Sequence, residues 1–295
     1  MEASLPRFRR LAVSAQSFRR LALASAVILV LIVASGATVR LTGSGLGCDQ
    51  WPGCQAGKVY PDTGYHSYVE FSNRVESGFV IFVTLATFLA SLRVPGLERW
   101  VRWVAGAAFL TSLLQAPLGA VTVHYKLNPY LVGSHFLLSI VALTLGILVA
   151  LEAWNIRGEP VTRGVRWLAM VSAVSCGALL FSGVAATAAG PHSGGTAVPR
   201  IWRLEPAVYV HVRATAIFAL TFAALLVWLN IRGSRHIRGA LIVLGLLVVQ
   251  MVIGEIQYRT HLPLGLVIAH VTLSAVVWAA TVVFVATLWR PSRMA

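Results

Sequence analysis

Three observations on this sequence predict an all-α integral membrane protein whose eight transmembrane helices form two parallel four-helix-bundle repeats. The 295 residues are 57% hydrophobic and only 12% charged, with a mean hydropathy of +0.77, so there are too few charges to solvate a globular surface. Eight apolar stretches each reach about 20 residues, which crosses a hydrocarbon core of about 30 Å as a helix. Polar residues also recur between the two halves at a fixed spacing.

The eight predicted spans have the composition of helices, and none has the sequence of a barrel strand. They run near residues 20–40, 74–92, 101–121, 131–152, 165–188, 209–230, 238–256 and 266–288. Because lipid offers no hydrogen-bond partners to an exposed backbone, such spans are stable only as helices of a bundle. The first follows a basic segment, as in a signal peptide. Its apolar run is longer, however, and seven spans follow, so we expect it to be retained.

The internal repeat is visible in polar residues that lie within the apolar spans. Gln115, Gly119 and His135 recur 135 residues later as Gln250, Gly254 and His270. Asn73 corresponds to His211 at a spacing of 138, and the first helices of the halves match at Ser35-Gly36 and Ser182-Gly183. Four helices are an even number, so both halves enter the membrane in the same orientation. We therefore predict an N-terminal repeat over residues 1–154 and a C-terminal repeat over residues 155–295.

The formal charge of +14 reflects topology rather than nucleic-acid binding. With the N-terminus in the cytoplasm, sixteen of the 24 Lys and Arg residues lie on the cytoplasmic side. The positive-inside rule then predicts a multi-pass protein of the bacterial cytoplasmic membrane with both termini in the cytoplasm. The lipid bilayer is the expected partner, and nucleic acid is not. The outer side carries the two long loops, where functional residues concentrate.

Histidines inside the spans are the strongest functional signal. A histidine within a bilayer is rare and usually functional, and two on adjacent helices can bind one haem iron. His211 and His270 lie within the first turns of helices that run inward from the outer side, within about 10 Å of the boundary. We expect them to face each other as haem ligands, and His135 holds the equivalent position in the first half. The alternative is a pair of interhelical hydrogen bonds.

Several charged residues lie near the outer ends of the helices. Arginines at these ends can pair with haem propionates or can instead extend to the interface, and they are Arg40, Arg74, Arg200, Arg203 and Arg213. Glu70 is predicted to begin the second helix, one turn before Asn73, where the helix dipole stabilises a carboxylate. It could alternatively transfer protons beside a haem. Val208 occupies the corresponding place in the second half.

Two cysteines flank five residues of the first outer loop. A disulfide between Cys48 and Cys54 can form and persist outside the cytoplasm. A structural staple and a redox-active pair are equally compatible with this spacing.

Taken together, these residues resemble the haem A synthase family. The resemblance spans about residues 20–290 and depends on GATVRLTGSGLGC at 36–48, WPGC at 51–54, EFSNR at 70–74 and GPHSGG at 190–195, with the helices of His211 and His270. It implies that the methyl group of haem O is oxidised to the formyl group of haem A for cytochrome oxidase assembly. Expected partners are haem O, haem A, haem O synthase, oxidase assembly factors and a membrane electron donor.

The resemblance also implies roles for individual residues. His211 and His270 would bind the iron of a haem b, and the first half would receive haem O as substrate. Glu70 would be important for activity, and Cys48 and Cys54 would match the family's cysteine pair.

One position departs from the family pattern. The family commonly has His where this chain has Asn73, which leaves His135 as the ligand of the substrate haem iron. Three outcomes are compatible with the sequence. The iron keeps an open position, His66 or His124 substitutes, or the first site no longer turns over. The leading hypothesis is an enzyme. The alternatives are a non-catalytic b-type cytochrome that relays electrons and a haem carrier or assembly factor.

Overall fold

The computed structural model describes residues 12–51, 53–62, 64–194, 200 and 202–290. This part of the chain contains eight helices that are long and apolar enough to cross a membrane, as predicted. They are α1 (Ala15–Leu41), α2 (Tyr65–Ser91), α3 (Arg99–His124), α4 (Pro129–Ala153), α5 (Arg163–Ala189), α6 (Leu204–Ile231), α7 (Ile237–Arg259) and α8 (Leu264–Trp289). Arg7, Arg9, Arg10 and Arg293 of the charge argument, and Pro52 and Gly195 of the motifs, lie outside the described residues.

Several helices begin earlier than the apolar stretches indicate. Helix α2 begins at Tyr65 rather than near residue 74, and α6 begins at Leu204 rather than near residue 209. The prediction that Glu70 begins the second helix is therefore wrong, since it is the sixth residue of α2. Hydropathy marks only the part of a helix that lies in lipid. Its backbone hydrogen bonds continue beyond that part, here supported by the i,i+4 ion pair of Glu70 and Arg74.

Local signals explain where other helices start. The Ser14 hydroxyl accepts from the Ser17 N–H at the start of α1, and the Thr162 hydroxyl accepts from the Val165 N–H at the start of α5. Asn128 caps α4 by accepting from the Tyr130 N–H, and Pro129 occupies the first helical position, where a missing N–H costs nothing.

Helix packing divides along the halves of the chain. In the first half, α1 contacts α2 and α4, and α3 lies between α2 and α4 on the other side. In the second half, α5 contacts α6 and α8, and α7 lies between those two. The halves meet where α8 packs on α1 and α4, and the Trp278 indole N–H donates to Thr144 Oγ1 at 2.8 Å across this junction. The parallel-repeat relationship and the 154/155 boundary remain predictions that this packing supports.

The site positions follow from this arrangement. Within each half, the even-numbered helices lie diagonally opposite each other, α2 across from α4 and α6 across from α8. The predicted ligands therefore come from opposite corners of a bundle. An interior of this kind is a common place for a cofactor.

Candidate functional site

The imidazoles of His211 and His270 face each other across the second bundle. Their ring centroids are 6.3 Å apart and the rings are inclined by 75°. Two imidazoles that each bind one iron through Nε2 at about 2 Å have centroids about 6 Å apart. This separation therefore fits an iron between the rings. It is too large for a direct hydrogen bond from one ring to the other.

Ser182 determines which nitrogen of His211 is available. The Ser182 hydroxyl donates to the Leu179 carbonyl at 2.7 Å, so its oxygen is left to accept from His211 Nδ1 at 3.0 Å. A histidine whose Nδ1 carries the proton has Nε2 free for a metal. This arrangement favours the tautomer of His211 in which Nε2 can bind a metal.

Glycines on the neighbouring helices make room for the rings. A Cβ on Gly183 would lie 3.2 Å from His211 Cε1, and a Cβ on Gly254 would lie 2.9 Å from His270 Cε1. The second contact is shorter than real Cβ contacts, so Gly254 leaves the space that the His270 ring occupies. Ser182-Gly183 and Gly254 therefore shape the second-half site from α5 and α7.

The first half has the same surroundings with a different side chain. Asn73 Nδ2 donates to Ser35 Oγ at 3.1 Å, the contact equivalent to that of Ser182 with His211. A Cβ on Gly36 would lie 3.9 Å from Asn73 Nδ2, and a Cβ on Gly119 would lie 3.5 Å from His135 Cε1. The first-half site therefore offers one imidazole, from His135, and an amide in the place of the second.

Glu70 and Arg74 connect α2 to the cysteine loop. The buried Glu70 carboxylate accepts from the Cys48 backbone N–H at 2.9 Å and from Arg74 Nη2 at 2.5 Å. Arg74 Nη1 also donates to the carbonyls of Gln50 at 2.7 Å and Gly53 at 2.5 Å. The pair thus acts as a clasp between the helix and the loop. Sequence reasoning missed it, because loop carbonyls carry no periodic signal.

The cysteine loop is closed by a disulfide. Cys48 and Cys54 are bonded and buried, with Cα atoms 4.4 Å apart. The loop continues onto the start of α2, where Ser67 Oγ donates to the Gly47 carbonyl at 2.6 Å. Its backbone is thereby held beside the helix that carries Glu70 and Asn73.

The other predicted arginines have different surroundings. Arg213 is exposed and stacks 3.4 Å from the Tyr209 ring centroid, which leaves its guanidinium at the bundle surface. Arg40 Nε donates to the Ser193 carbonyl at 3.4 Å, and its buried Nη2 has no hydrogen-bond partner among the described residues. Arg203 pairs with Glu205, and Arg200 is exposed. A propionate contact remains a prediction for all of them.

The two candidate substitutes for a second histidine in the first half are exposed residues. His66 is exposed, seven residues before Asn73 on α2, and its Nδ1 contacts Ser44 Oγ at 2.8 Å. Two helical turns separate these residues by about 10 Å. His124 is the last residue of α3 and is exposed. Neither histidine lies at the depth of Asn73 in the bundle. Neither therefore takes the place in the first half that His211 takes in the second.

The fold and these paired positions define a multi-pass helical membrane protein with facing imidazoles inside its second bundle. The chain belongs to the COX15-CtaA family, whose description is cytochrome oxidase assembly protein, and residues 19–67 and 61–282 match its model. Among relatives, "Heme A synthase" of Symbiobacterium thermophilum is 26% identical over 285 residues, covering 89% of this chain and 92% of that protein.

Two further relatives carry the same printed name. "Heme A synthase" of Alkalihalophilus pseudofirmus is 24% identical over 283 residues, covering 90% of this chain and 95% of that protein. That of Bacillus pumilus is 31% identical over 137 residues, which are 46% of this chain and 44% of that protein. The similarity thus extends over the whole bundle at low identity and is higher over half of it.

Proposed function

We propose that this protein is a haem A synthase, which oxidises the methyl group of haem O to the formyl group of haem A for cytochrome oxidase assembly. The observation that carries the proposal is the facing pair of His211 and His270 at the separation of two haem ligands, in a chain of this family. The reaction removes four electrons from the methyl carbon and adds one oxygen atom. A synthase therefore needs a substrate haem site and a path for electrons.

The second half would hold the resident cofactor, haem b, through His211 and His270. A haem held by these two residues would supply one-electron transfer. Ser182 contacts Nδ1 of His211, which would leave Nε2 to bind the iron. Gly254 keeps space for the His270 ring.

The first half would receive haem O as substrate, with His135 as the protein ligand to its iron. Asn73 is held by Ser35 in the position of the second imidazole. An amide is a weak ligand for iron, so we propose that this side of the substrate haem stays open to a small ligand. Beside Asn73, a groove between α1 and α2 is lined by Ser35, Tyr65, Tyr68 and Ser72.

Glu70, Cys48 and Cys54 would act at the same site. We propose that Glu70 is required for turnover because it is a buried carboxylate one turn before Asn73 on α2, whereas Glu76, at the same spacing after Asn73, is exposed. Its hydrogen bonds to Cys48 N–H and Arg74 fix its position. Arg74 and Arg213 flank the two sites at the outer side, where haem propionates would lie.

The proposed location is the bacterial cytoplasmic membrane, with both termini in the cytoplasm and the sites near the outer face. The short loops α2–α3, α4–α5 and α6–α7 carry the basic residues that this orientation places inside. Haem O synthase, oxidase assembly factors and a membrane electron donor are the proposed partners.

A second candidate function is a b-type cytochrome that relays electrons without altering haem. Asn73 favours it, because the first half then lacks one of the two imidazoles that the second half has. The clasp of Glu70, Arg74 and the cysteine loop favours the enzyme, because an electron relay has no use for a buried carboxylate beside the first site.

The deciding experiment is co-expression of the intact chain with a source of haem O, followed by chromatography and mass spectrometry of extracted membrane haems. We expect haem A with the wild-type chain and only haem O with the variant His135→Ala, which retains the second-half ligands. Purified wild-type protein that contains haem b but leaves haem O unconverted would refute the synthase and support the relay.

A further inference from the structure

The two glutamines of the repeat contact the histidines of the following helix in the same way. Gln115 Nε2 donates to the His135 backbone carbonyl at 3.2 Å, and Gln250 Nε2 donates to the His270 backbone carbonyl at 3.0 Å. Gln115 Nε2 also donates to Ser139 Oγ at 2.7 Å. Since the amide nitrogens point to acceptors, the orientation of both amides is determined by hydrogen bonding.

Each of these pairs leaves one acceptor and one donor position unused. Oε1 of Gln115 and Nδ1 of His135 are both buried without a hydrogen-bond partner among the described residues, and the same is true of Gln250 Oε1 and His270 Nδ1. A buried polar atom without a partner costs about 1–3 kcal/mol. The coincidence of a free acceptor and a free ring nitrogen on adjoining side chains, twice in one chain, requires an explanation.

His211 shows what the missing contact would do. Its Nδ1 is bonded to Ser182, which leaves Nε2 for the metal, whereas His135 and His270 have no serine in that position. A metal-bound histidine almost always donates its other N–H to a neighbouring acceptor, which fixes the ring and raises its basicity. An amide oxygen is a suitable acceptor.

We propose that Gln250 and Gln115 are positioning residues whose side-chain carbonyls accept from Nδ1–H of His270 and His135 when Nε2 binds haem iron. The inference rests on the proposed haem sites and adds the groups that orient their ligands. Gly254 and Gly119 lie one turn after the glutamines, and the imidazole rings occupy the space beside them. Gln, Gly and His thus form one unit repeated in both halves.

The second half contains one competing acceptor. The backbone carbonyl of Gln250 also lies near the His270 ring, without the geometry of a hydrogen bond to Nδ1. If that carbonyl orients the ring, the identity of the side chain at position 250 does not matter. Side-chain variants therefore separate the two acceptors.

The test uses full-length protein purified with haem b, measured by haem-to-protein ratio, electron paramagnetic resonance and redox titration. For Gln250→Leu we expect haem to be retained about 10–100-fold less tightly, the usual loss on removing such a partner. A tenfold weaker preference for ferric over ferrous iron would raise the midpoint potential by 59 mV. Gln250→Glu keeps an acceptor oxygen and should stay within threefold of wild type.

Ser274→Ala is the matched control. Ser274 lies one turn after His270 on α8, and its hydroxyl bonds to the Val271 carbonyl of its own helix. We expect this variant to match wild type in all three measurements. If Gln250→Leu does not accumulate, Gln250→Asn takes its place, because it keeps the amide but is one methylene too short to reach Nδ1.

The inference is overturned if Gln250→Leu or Gln250→Asn has the same spectrum, midpoint potential and haem retention as the wild type. Equal damage by Gln250→Glu and Gln250→Leu would also overturn it, because only the loss of the amide nitrogen is common to both. Failure of the proposed function looks different. In that case wild-type protein itself either contains no haem b or makes no haem A, whatever residue occupies position 250.

Discussion

The two halves of this chain surround their sites alike and fill them differently. In the second half, Ser182 on α5 holds His211, which faces His270. In the first half, Ser35 on α1 holds Asn73, and only His135 offers an imidazole. The first half adds a buried carboxylate and a disulfide loop. The difference supports the proposal that one half keeps a cofactor and the other admits a substrate.

The largest expected effect comes from removing a ligand of the second half. His211→Ala or His270→Ala should lose haem b by more than the roughly hundredfold that follows removal of a ligand's hydrogen-bond partner. The measurement is the haem b content and the low-spin electron paramagnetic resonance signal of purified protein. His135→Ala should keep both, and equal loss in that variant would contradict the division of roles.

The clasp of the first half should contribute strongly to stability. Glu70→Ala leaves the partly buried Arg74 without its anion and the Cys48 N–H without an acceptor, at a cost of about 3 kcal/mol, the lower end of the range for a buried pair. Glu70→Gln keeps an acceptor and should lose less. Thermal unfolding in detergent would measure both.

Glu255 provides the control for this prediction. It pairs with Arg259 at the same i,i+4 spacing and the same 2.5 Å, but both side chains are more than half exposed. Glu255→Ala should therefore cost no more than about 1 kcal/mol. An equal effect of the two alanine variants would show that the clasp adds nothing beyond a surface ion pair.

The corresponding glycines of the two halves should differ in how well they tolerate substitution by alanine. Gly254→Ala places a Cβ 2.9 Å from His270 Cε1, an overpacking that should cost about 1–3 kcal/mol and disturb the haem b spectrum. Gly119→Ala meets His135 Cε1 at 3.5 Å, an ordinary contact, and should be neutral. Melting temperature and absorption spectrum of the two variants would make the comparison. Similar results for both variants would mean that the histidine ring is packed no more closely against its glycine in the second site than in the first.

The smallest expected effect would make the halves alike. Asn73→His places a second imidazole beside Ser35 and Gly36, as His211 lies beside Ser182 and Gly183. If that imidazole occupies the open position about nine times in ten, carbon monoxide should bind the reduced haem O-loaded protein about tenfold more weakly. Titration with carbon monoxide would measure this. An unchanged affinity would mean that the position opposite His135 is not open in the wild type.

Much of the site follows from periodic features of the sequence. The spacing of 135 residues between the Gln, Gly and His positions predicted equivalent places in two bundles, and His211 and His270 do face each other. Apolar composition does not mark the first two turns of α2, and for this reason the sequence predicts a helix start at Glu70 rather than at Tyr65. The pairing of Glu70 with Arg74 has the i,i+4 spacing that a helix makes readable from sequence. The contact of Glu70 with Cys48 N–H could not be predicted, because it depends on how an irregular loop returns to the helix.

The sequence by itself determined the number of spans, their apolar character and the recurrence of polar residues, because water and lipid select composition over every stretch of about 20 residues. Only the tertiary structure decided which corners of a bundle face each other and which atom each polar group meets. A helical period places a residue on one face of its own helix. The residue opposite that face is set by the packing of other helices, far away in the chain.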